Sequence, residues 1–478
     1  MTARSLAALI ADAPGFRVRR RVGSVAVDDA TTMVTGIAYD SRRVGAGELF
    51  CCVPGALADG HEFAGAAYEA GASALLVDHE LDIGVTQLVV DDVRAAMAPL
   101  AAAFHHHPSR SMIVVGVTGT NGKTTTTALL ASIFEANGWH SGLVGTLTGA
   151  KTTPEAPDLQ AQLASFRDDG CQAVAVEVSS HALAQHRVDA THFALAVFTN
   201  LTQDHLDFHA TMERYFAAKA RLFEADLSER GVINVDDPHG SLLASAVSIP
   251  VTTFSIDDAL ELNVSATACS FRWHGHTVRV PLGGRFNAAN ALAAATAAHV
   301  LGIDDDVIVS GLERVAPVPG RFESVDAGQS FAVVVDYAHT PDGLAKVLSA
   351  ARDGAGDGRV LVVFGCGGDR DAAKRPIMGR IAAAGADVVV ITSDNPRRED
   401  PAAIISAVRS GILNDGSAIV VSEADRRTAI AIAFGHAAAG DVVVIAGKGH
   451  EPYQEVGDTR LPFDDRAVAR QLLIEVAR

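Results

Sequence analysis

The sequence is short of basic residues. Lysine and arginine number 39 against 57 acidic residues, so the 478-residue chain carries a net charge of −18. A chain of that sign is a poor general binder of nucleic acid, whose phosphates demand clustered cations. Its charge serves solubility. Cysteine is scarce as well: five residues, an odd number, with Cys51 and Cys52 adjacent and Cys171, Cys269 and Cys366 alone. None has metal-ligand spacing, and the pattern predicts buried, reduced thiols in a reducing cytoplasm rather than a disulfide framework. No run of ~18 apolar residues occurs, so no membrane-spanning helix is expected. The N-terminal stretch MTARSLAALIADAPG has too short an apolar run for a signal peptide and no clear cleavage site. Aromatic residues make up only 5%, beside 48% apolar and 20% charged, an ordinary globular composition. The length predicts about three domains.

The most informative stretch is IVVGVTGTNGKTTTT at 113–127. Its β-branched start reads as a buried parallel strand, Gly119 and Gly122 break it, and an alanine-rich helical pattern begins near Lys123. Strand, glycine loop and helix is the setting for phosphate binding, because backbone N–H groups and the helix dipole both face an anion there. Lys123 can reach β/γ-phosphates, and Thr124 can place a hydroxyl on Mg²⁺. The strict G-x-x-x-x-G-K-[ST] pattern is not met, since Val117 stands where its first glycine would be. The plainer alternative is a glycine turn between a core strand and a helix.

The chain divides into three units. Residues 1–110 predict a small α/β domain without a nucleotide signature, closed by His105, His106 and His107, which read as a solvated linker rather than a metal site. Residues 111–326 alternate strands and helices, which predicts a parallel sheet with helices on both faces. Between about 250 and 282 the pattern turns β-rich (Val251-Thr-Thr-Phe254, Ser270-Phe-Arg-Trp273, Thr277-Val-Arg-Val280), and some antiparallel structure is expected there. Residues 327–478 repeat the alternation and predict a Rossmann-like domain. Its turn FGCGGDR (364–370) has neither dinucleotide spacing nor a phosphate-loop lysine.

Polar loops follow the strands. Glu177-Val-Ser-Ser-His181 and the segment Asn200–His209 come after two strands of the central unit, at the carboxyl ends where open α/β sheets bind ligands. Glu177 and His205 could complete a Mg²⁺ site with phosphate oxygens, since magnesium takes few protein ligands plus waters. The alternative is helix capping by Thr202 or Asp204. Lys219, on the helical stretch Tyr215–Phe223 with Phe216 and Phe223 as core, reads by default as a surface charge. In the third unit Asp336-Tyr-Ala-His-Thr-Pro341, Asp394-Asn-Pro-Arg397 and Gly447-Lys-Gly-His-Glu451 follow strands and predict a site for a charged small molecule. Pro396 enforces an extended turn, and Arg397 can fork onto a carboxylate.

Taken in order, Asp40-Ser-Arg42, Thr118-Gly-Thr-Asn-Gly-Lys-Thr124, Thr152-Thr-Pro154, Glu177-Val-Ser-Ser-His181, Asp204-His205, Tyr215-x-x-x-Lys219, Asn287-x-x-Asn290, Gly320-Arg-Phe-Glu323 and Asp336-Tyr-Ala-His339 resemble the Mur ligases over nearly the whole chain. These are ATP-dependent amide-bond ligases of peptidoglycan synthesis. The loop departs from the strict pattern because Thr-Gly-Thr-Asn-Gly-Lys-Thr is similar to this family's own variant. The resemblance implies a cytoplasmic enzyme, a monomer, that uses ATP and Mg²⁺ and passes through an acyl phosphate. It further implies that Glu177 and His205 ligate magnesium with Thr124. Lys219 would be carbamylated by CO₂ and join them, which reverses its reading as a surface charge. Thr118, Gly119, Thr120, Asn121, Gly122, Lys123, Thr124, Thr125, Asn287, Asn290, Arg321 and Asp336 match the family's nucleotide positions. Ser41 matches a uridine-side contact, with residues 55–57 a weaker match. Thr152, Thr153, Ser179, Gln185 and Arg187 match contacts to a UDP-N-acetylmuramoyl-L-alanyl-D-glutamate substrate. Arg370, Asp394, Asn395, Pro396, Arg397, Gly447 and Glu451 look like the pocket of the branch that adds meso-2,6-diaminopimelate. Arg397 would pair with that amino acid's distal carboxylate and be left unpaired by lysine. The same chemistry with lysine as acceptor, and a folylpolyglutamate synthetase, are the competing readings; the Asp40-Ser-Arg42 segment weighs against the latter.

Overall fold

The β-branched run Ile113–Thr118 forms an interior strand of a six-stranded, wholly parallel sheet in this computed structural model. The structure describes residues 3–13, 20–22, 32–55, 58–413 and 418–476. Across this central sheet the order is Val251–Phe254, Gly231–Asn234, Leu195–Phe198, Ile113–Thr118, Ala173–Glu177, Ser141–Val144. The chain starts in the middle, crosses to the edge strand Ser141–Val144, returns to Ala173–Glu177 beside the first strand, and then winds outward on the other side. The switch point therefore lies at the carboxyl end of Ile113–Thr118, where a crevice opens in folds of this kind. The glycine loop leaves the sheet at that point, with Glu177 on one side and the loop after Phe198 on the other.

The β-rich stretch holds the expected antiparallel structure at residues 260–280, preceded by one parallel strand. Val251–Phe254 is not antiparallel; it is the parallel edge of the central sheet, with Val251 registered beside Gly231. A β-branched run specifies extended backbone but not its neighbour. The antiparallel part begins only at Leu260–Val264, which pairs with Cys269–Trp273 and then His276–Val280.

Helices cover both faces. Lys123–Ala136 and the alanine-rich Arg285–Val300 pack together with Asp305–Glu313. Small residues set how closely they approach: a Cβ on Gly311 would stand 2.5 Å from the Ile133 Cα. The first domain pairs Arg20–Val22, Thr86–Val89, Ala74–Val77, Leu49–Cys51 and Ile37–Ala38. The third has the order Glu323–Ser324, Ala332–Asp336, Val442–Ala446, Val360–Phe364, Val388–Ile391, Ile419–Ser422, with only the first antiparallel. All five cysteines are free and buried. Among the described residues no helix is long and apolar enough to cross a membrane.

The three histidines are not a solvated linker. His105 caps the helix Val93–Phe104 and is buried, its ring edge-on to Phe104 and its carbonyl accepting from Arg167 Nη1 at 2.8 Å. Burial lowers its pKa to about 4. The helix Val93–Phe104 packs on Ala156–Asp168, which places its last turn inside. His106 is exposed.

In the third domain Arg426 and Asp465 form a bidentate pair, Nε–Oδ1 2.8 Å and Nη2–Oδ2 2.7 Å, with both side chains fully buried. Arg426 also donates to the carbonyl of Ala446 at 3.0 Å, the residue that ends the strand before Gly447. Removing one partner leaves the other charge buried and alone. Asp465→Ala is expected to destabilise this domain by about 3–5 kcal/mol, read by denaturant unfolding. A loss under about 1 kcal/mol would show that the pair is dispensable.

Candidate active site

Gly119 adopts φ +150° and Gly122 φ +89°. A Cβ on Gly119 would lie 1.9 Å from Thr199 Oγ1, and one on Gly122 2.3 Å from Asn290 Oδ1. Glycine is thus required twice, for backbone angle and for space. The helix Lys123–Ala136 starts directly after Gly122. Lys123 folds back over the loop, its Nζ donating to the carbonyls of Gly119 (2.8 Å) and Thr120 (2.9 Å).

Thr124 Oγ1 donates to Glu177 Oε2 at 3.0 Å. Glu177 is wholly buried at the end of its strand and also accepts from the backbone N–H of Thr146 at 2.8 Å. Lys219 is not a surface charge. It is 1% exposed, and its Nζ donates to the Gly119 carbonyl at 2.7 Å from beneath the loop. Burial first, and then the Lys123 charge, hold its pKa well below the ordinary lysine value. The Tyr215 ring lies 4.8 Å from the Lys219 nitrogen, and the Tyr215 hydroxyl is 3.0 Å from Thr120 Oγ1. His205, at φ +53°, stands edge-on to His181 and Tyr215, and burial lowers its pKa.

The glycine loop, Glu177 and His205 line one cleft of about 470 Å³, and Lys219 and Tyr215 lie outside its wall. Its walls hold Thr120 to Thr125, Thr146, Thr152, Glu177 and His205 from the central domain, together with Asn290, Arg321, Asp336 and Tyr337. Asn290 Nδ2 donates to Asn287 Oδ1 at 3.1 Å. Asp336 accepts the N–H groups of Phe322 and Ala338, both at 2.7 Å, while burial raises its pKa. Arg321 lies 4.8 Å over the Tyr337 ring and reaches Thr124 Oγ1 at 3.4 Å.

Behind Thr152 the side chains form a chain of contacts. Thr153 Oγ1 donates to the Glu177 carbonyl (2.8 Å), Arg187 Nη1 donates to the Thr153 carbonyl (2.9 Å), and Arg187 Nη2 donates to Gln185 Oε1 (2.6 Å). Ser179 Oγ is 3.3 Å from Thr153 Oγ1. The buried Glu155 ties this group together, meeting Arg187 at 2.9 Å, Lys151 at 2.8 Å and Arg94 of the first domain at 3.4 Å. Ser41 begins a short turn after Asp40 and is not in the wall of the cleft. Ala56 and Leu57 lie outside the described residues.

In the third domain, Asn395 Nδ2 donates to Glu451 Oε2 at 2.9 Å, and the buried Lys448 joins both at 3.3 Å. Burial raises the pKa of Asp394, and a Cβ on Gly447 (φ +114°) would stand 2.6 Å from Asp394 Oδ2. Arg370 and Arg397 flank Gly367, whose added Cβ would lie 3.0 Å from Arg397 Nη1 and 3.8 Å from Arg370 Cγ. Arg397, held at φ +50° after Pro396, is already paired: Nε meets Glu455 Oε2 at 2.9 Å and Nη1 the Gly368 carbonyl at 2.8 Å. The expectation of an arginine left bare without a ligand carboxylate is therefore corrected. The hairpin Tyr453–Val456 and Thr459–Pro462 supplies that partner from 58 residues away. Arg397 and Glu455, with Asp369, Arg398 and Arg460, surround a cavity of about 290 Å³, whose wall does not include Asp394, Asn395, Gly447 or Glu451.

Sequence reasoning missed Glu155, Glu455, Lys448 and Asp342. The first three follow or precede recognised motifs closely enough to be noticed, but their partners come from distant segments.

Two substitutions test this geometry. Gly119→Ala is expected to keep the fold and lose nucleotide binding by more than about 100-fold, because the displaced loop takes its N–H groups with it; calorimetric titration with ATP reads it. The folded chain also holds fewer protons on Lys219 than the unfolded chain does at pH between the lowered value and the ordinary 10.5. Stability therefore rises with pH in that window. Relative to Lys219→Met, the intact chain is expected to gain thermal stability from pH 7 to 9, and parallel curves would contradict a depressed lysine.

Comparison with known proteins agrees with the geometry. The chain matches the Mur ligase family, catalytic domain, at residues 33–105, the Mur ligase middle domain at 117–298, and the Mur ligase, glutamate ligase domain at 320–449. It is 48% identical over 466 residues to a UDP-N-acetylmuramoyl-L-alanyl-D-glutamate–2,6-diaminopimelate ligase of Syntrophomonas wolfei, covering 92% of this chain and 94% of that one. A solved structure of a ligase of that name superposes with a TM-score of 0.68 at 33% identity, over 95% of this chain and 98% of the other. The folylpolyglutamate synthase of Mycobacterium tuberculosis, solved with ADP and AMPPCP, covers 73% of this chain with a TM-score of 0.58 and 20% identity, a likeness of fold alone.

Proposed function

The chain belongs to the Mur ligase family, and on that premise we propose that it joins meso-2,6-diaminopimelate to UDP-N-acetylmuramoyl-L-alanyl-D-glutamate at the expense of ATP, as a monomer in the cytoplasm. The observation that carries this reading is the meeting of the glycine loop, Glu177 and His205 in one cleft, with the buried Lys219 donating to the Gly119 carbonyl of that loop. In this reading residues 1–110 bind the UDP end, 111–326 the ATP, and 327–478 the incoming amino acid.

A carboxylate is a poor electrophile with no good leaving group, so it must be activated. An oxygen of the side-chain carboxylate of the substrate's D-glutamate attacks the γ-phosphorus, and ADP leaves. The amine of diaminopimelate then attacks the acyl carbon, loses a proton, and the tetrahedral species expels phosphate. Loop N–H groups and Lys123 hold the phosphates, Lys123 exchanging its two carbonyl bonds for phosphate oxygens. Thr152, Thr153, Ser179, Gln185 and Arg187 hold the muramoyl peptide, with Ser41 at the uridine end. Asn287, Asn290, Arg321 and Asp336 serve the nucleotide.

The donor set fits magnesium. Thr124 Oγ1 and Glu177 Oε2 are oxygen donors hydrogen-bonded to each other at the helix start, the hard-oxygen chemistry that Mg²⁺ takes. Thr124, Glu177, His205 and Lys219 would hold it, and its charge would neutralise that developing on the transferred phosphoryl group. An ammonium cannot ligate a cation, but a neutral buried amine can add to CO₂, forming an N–C bond and releasing a proton, to give a carboxylate.

Arg370, Asp394, Asn395, Pro396, Arg397, Gly447 and Glu451 form the acceptor pocket in this reading. Arg397 pairs with the distal carboxylate of diaminopimelate, which lysine lacks. Glu455 bears on the lysine alternative, because its pairing with Arg397 softens the penalty for an empty pocket. Phosphate release with ATP, Mg²⁺ and the UDP-muramoyl dipeptide is expected with diaminopimelate, and up to roughly 10⁴-fold lower kcat/KM with L-lysine. Arg397→Ala should lose most diaminopimelate use while still binding ATP. Equal use of the two acceptors by the intact enzyme would overturn this assignment of Arg397.

A further inference from the structure

One carboxylate crosses between the domains at the mouth of the cleft. Asp342 lies in the first turn of the helix Pro341–Ala355, in the third domain, capped by Thr340. Its Oδ2 accepts from two residues of the central domain, Thr202 Oγ1 at 2.8 Å and Asn121 Nδ2 at 3.2 Å. Asn121 belongs to the glycine loop, and Thr202 to the segment that carries His205. Those two stretches are also joined to each other: Thr120 Oγ1 donates to the Thr202 carbonyl at 3.2 Å and accepts the Thr202 N–H at 3.0 Å. Lys346, one turn further along the same helix, meets Asp342 Oδ2 at 3.0 Å and lines the cleft.

A carboxylate beside a triphosphate site repels the ligand unless it is neutralised. Lys346 supplies the opposite charge, and the two donors hold the oxygen against the glycine loop and the His205 segment. We propose that Asp342 is a positioning residue. It latches the third domain onto the glycine loop and the His205 segment together, so that the acceptor pocket and the metal-side groups come into register as one unit. This goes beyond the general need for domains to meet, because it assigns the coupling to one oxygen atom and two named partners. It rests on the ligase reading for its kinetic arm only.

The test is a double-mutant cycle with Asp342→Ala and Thr202→Val, read in two ways. Scattering by the intact chain with and without AMP-PNP and Mg²⁺ reports compaction and needs no knowledge of the acceptor. Ligase kinetics report kcat and the nucleotide KM separately. The latch requires that each variant lose nucleotide-induced compaction, lower kcat by about tenfold or more, and change nucleotide affinity by no more than about twofold. The double variant should be no worse than the poorer single one. Asp342→Asn, which keeps an acceptor oxygen, should restore most of the compaction. Unchanged compaction and kcat in Asp342→Ala would overturn the proposal, as would losses that simply add in the double variant. A collapse of nucleotide affinity would overturn it too, making Asp342 a nucleotide ligand instead. If no acceptor gives turnover, the ligase reading fails while the scattering cycle still decides the latch.

Discussion

The carbonyl oxygen of Gly119 is the atom on which the cleft depends. Lys123 donates to it from above at 2.8 Å and Lys219 from below at 2.7 Å. The two nitrogens are then at most about 5.5 Å apart, and two ammonium charges at that distance repel by about 3 kcal/mol at an effective dielectric near 20. One of them must give way. Lys219 is the more deeply buried, with Tyr215 on one side, so its charge is the less tolerable. Burying a neutral amine under a phosphate loop serves no packing purpose that a methionine would not serve better. The stability given up there makes sense as chemistry.

The other parts of the site are arranged around that loop. The switch point of the central sheet puts Glu177 and the Asn200–His209 segment on its two sides. Gly119 and Gly122 let Thr199 and Asn290 approach to distances that any side chain would forbid. Arg321 comes in from the end of the central domain and Asp336 from the third, and Asp342 binds the same loop from across the domain boundary. In the third domain the cluster of Asn395, Lys448 and Glu451 stands at strand ends tied to the buried Arg426–Asp465 pair through the Ala446 carbonyl.

What could be read from the sequence was what is local. Strand, glycine loop and helix at 113–136 are fixed by neighbours a few residues apart, and Val360–Phe364 and Val388–Ile391 by their own β-branched runs. The positions of Glu177 and His205 in the cleft followed from the rule that strand ends carry the site. Lys219 could not be read that way. Its spacing suits a surface charge, and only the packing of its helix under the glycine loop buries it. His105 failed for the same reason, as a helix-end residue that a neighbouring helix covers. Asp342 looks like any acid in a first helical turn until its partners 140 and 221 residues away are seen. Arg397 looked like a free cation because Glu455 lies on a hairpin that has no motif of its own.

The claim at the centre of this account is that Lys219 is a neutral, reactive amine under the phosphate loop. Carbon-13 NMR of the intact chain in ¹³C-bicarbonate tests it most directly. The account predicts a carbamate resonance that is absent from Lys219→Met and grows as CO₂ is raised. A catalytically active enzyme with no such resonance, at CO₂ levels that leave its activity unchanged, would contradict it.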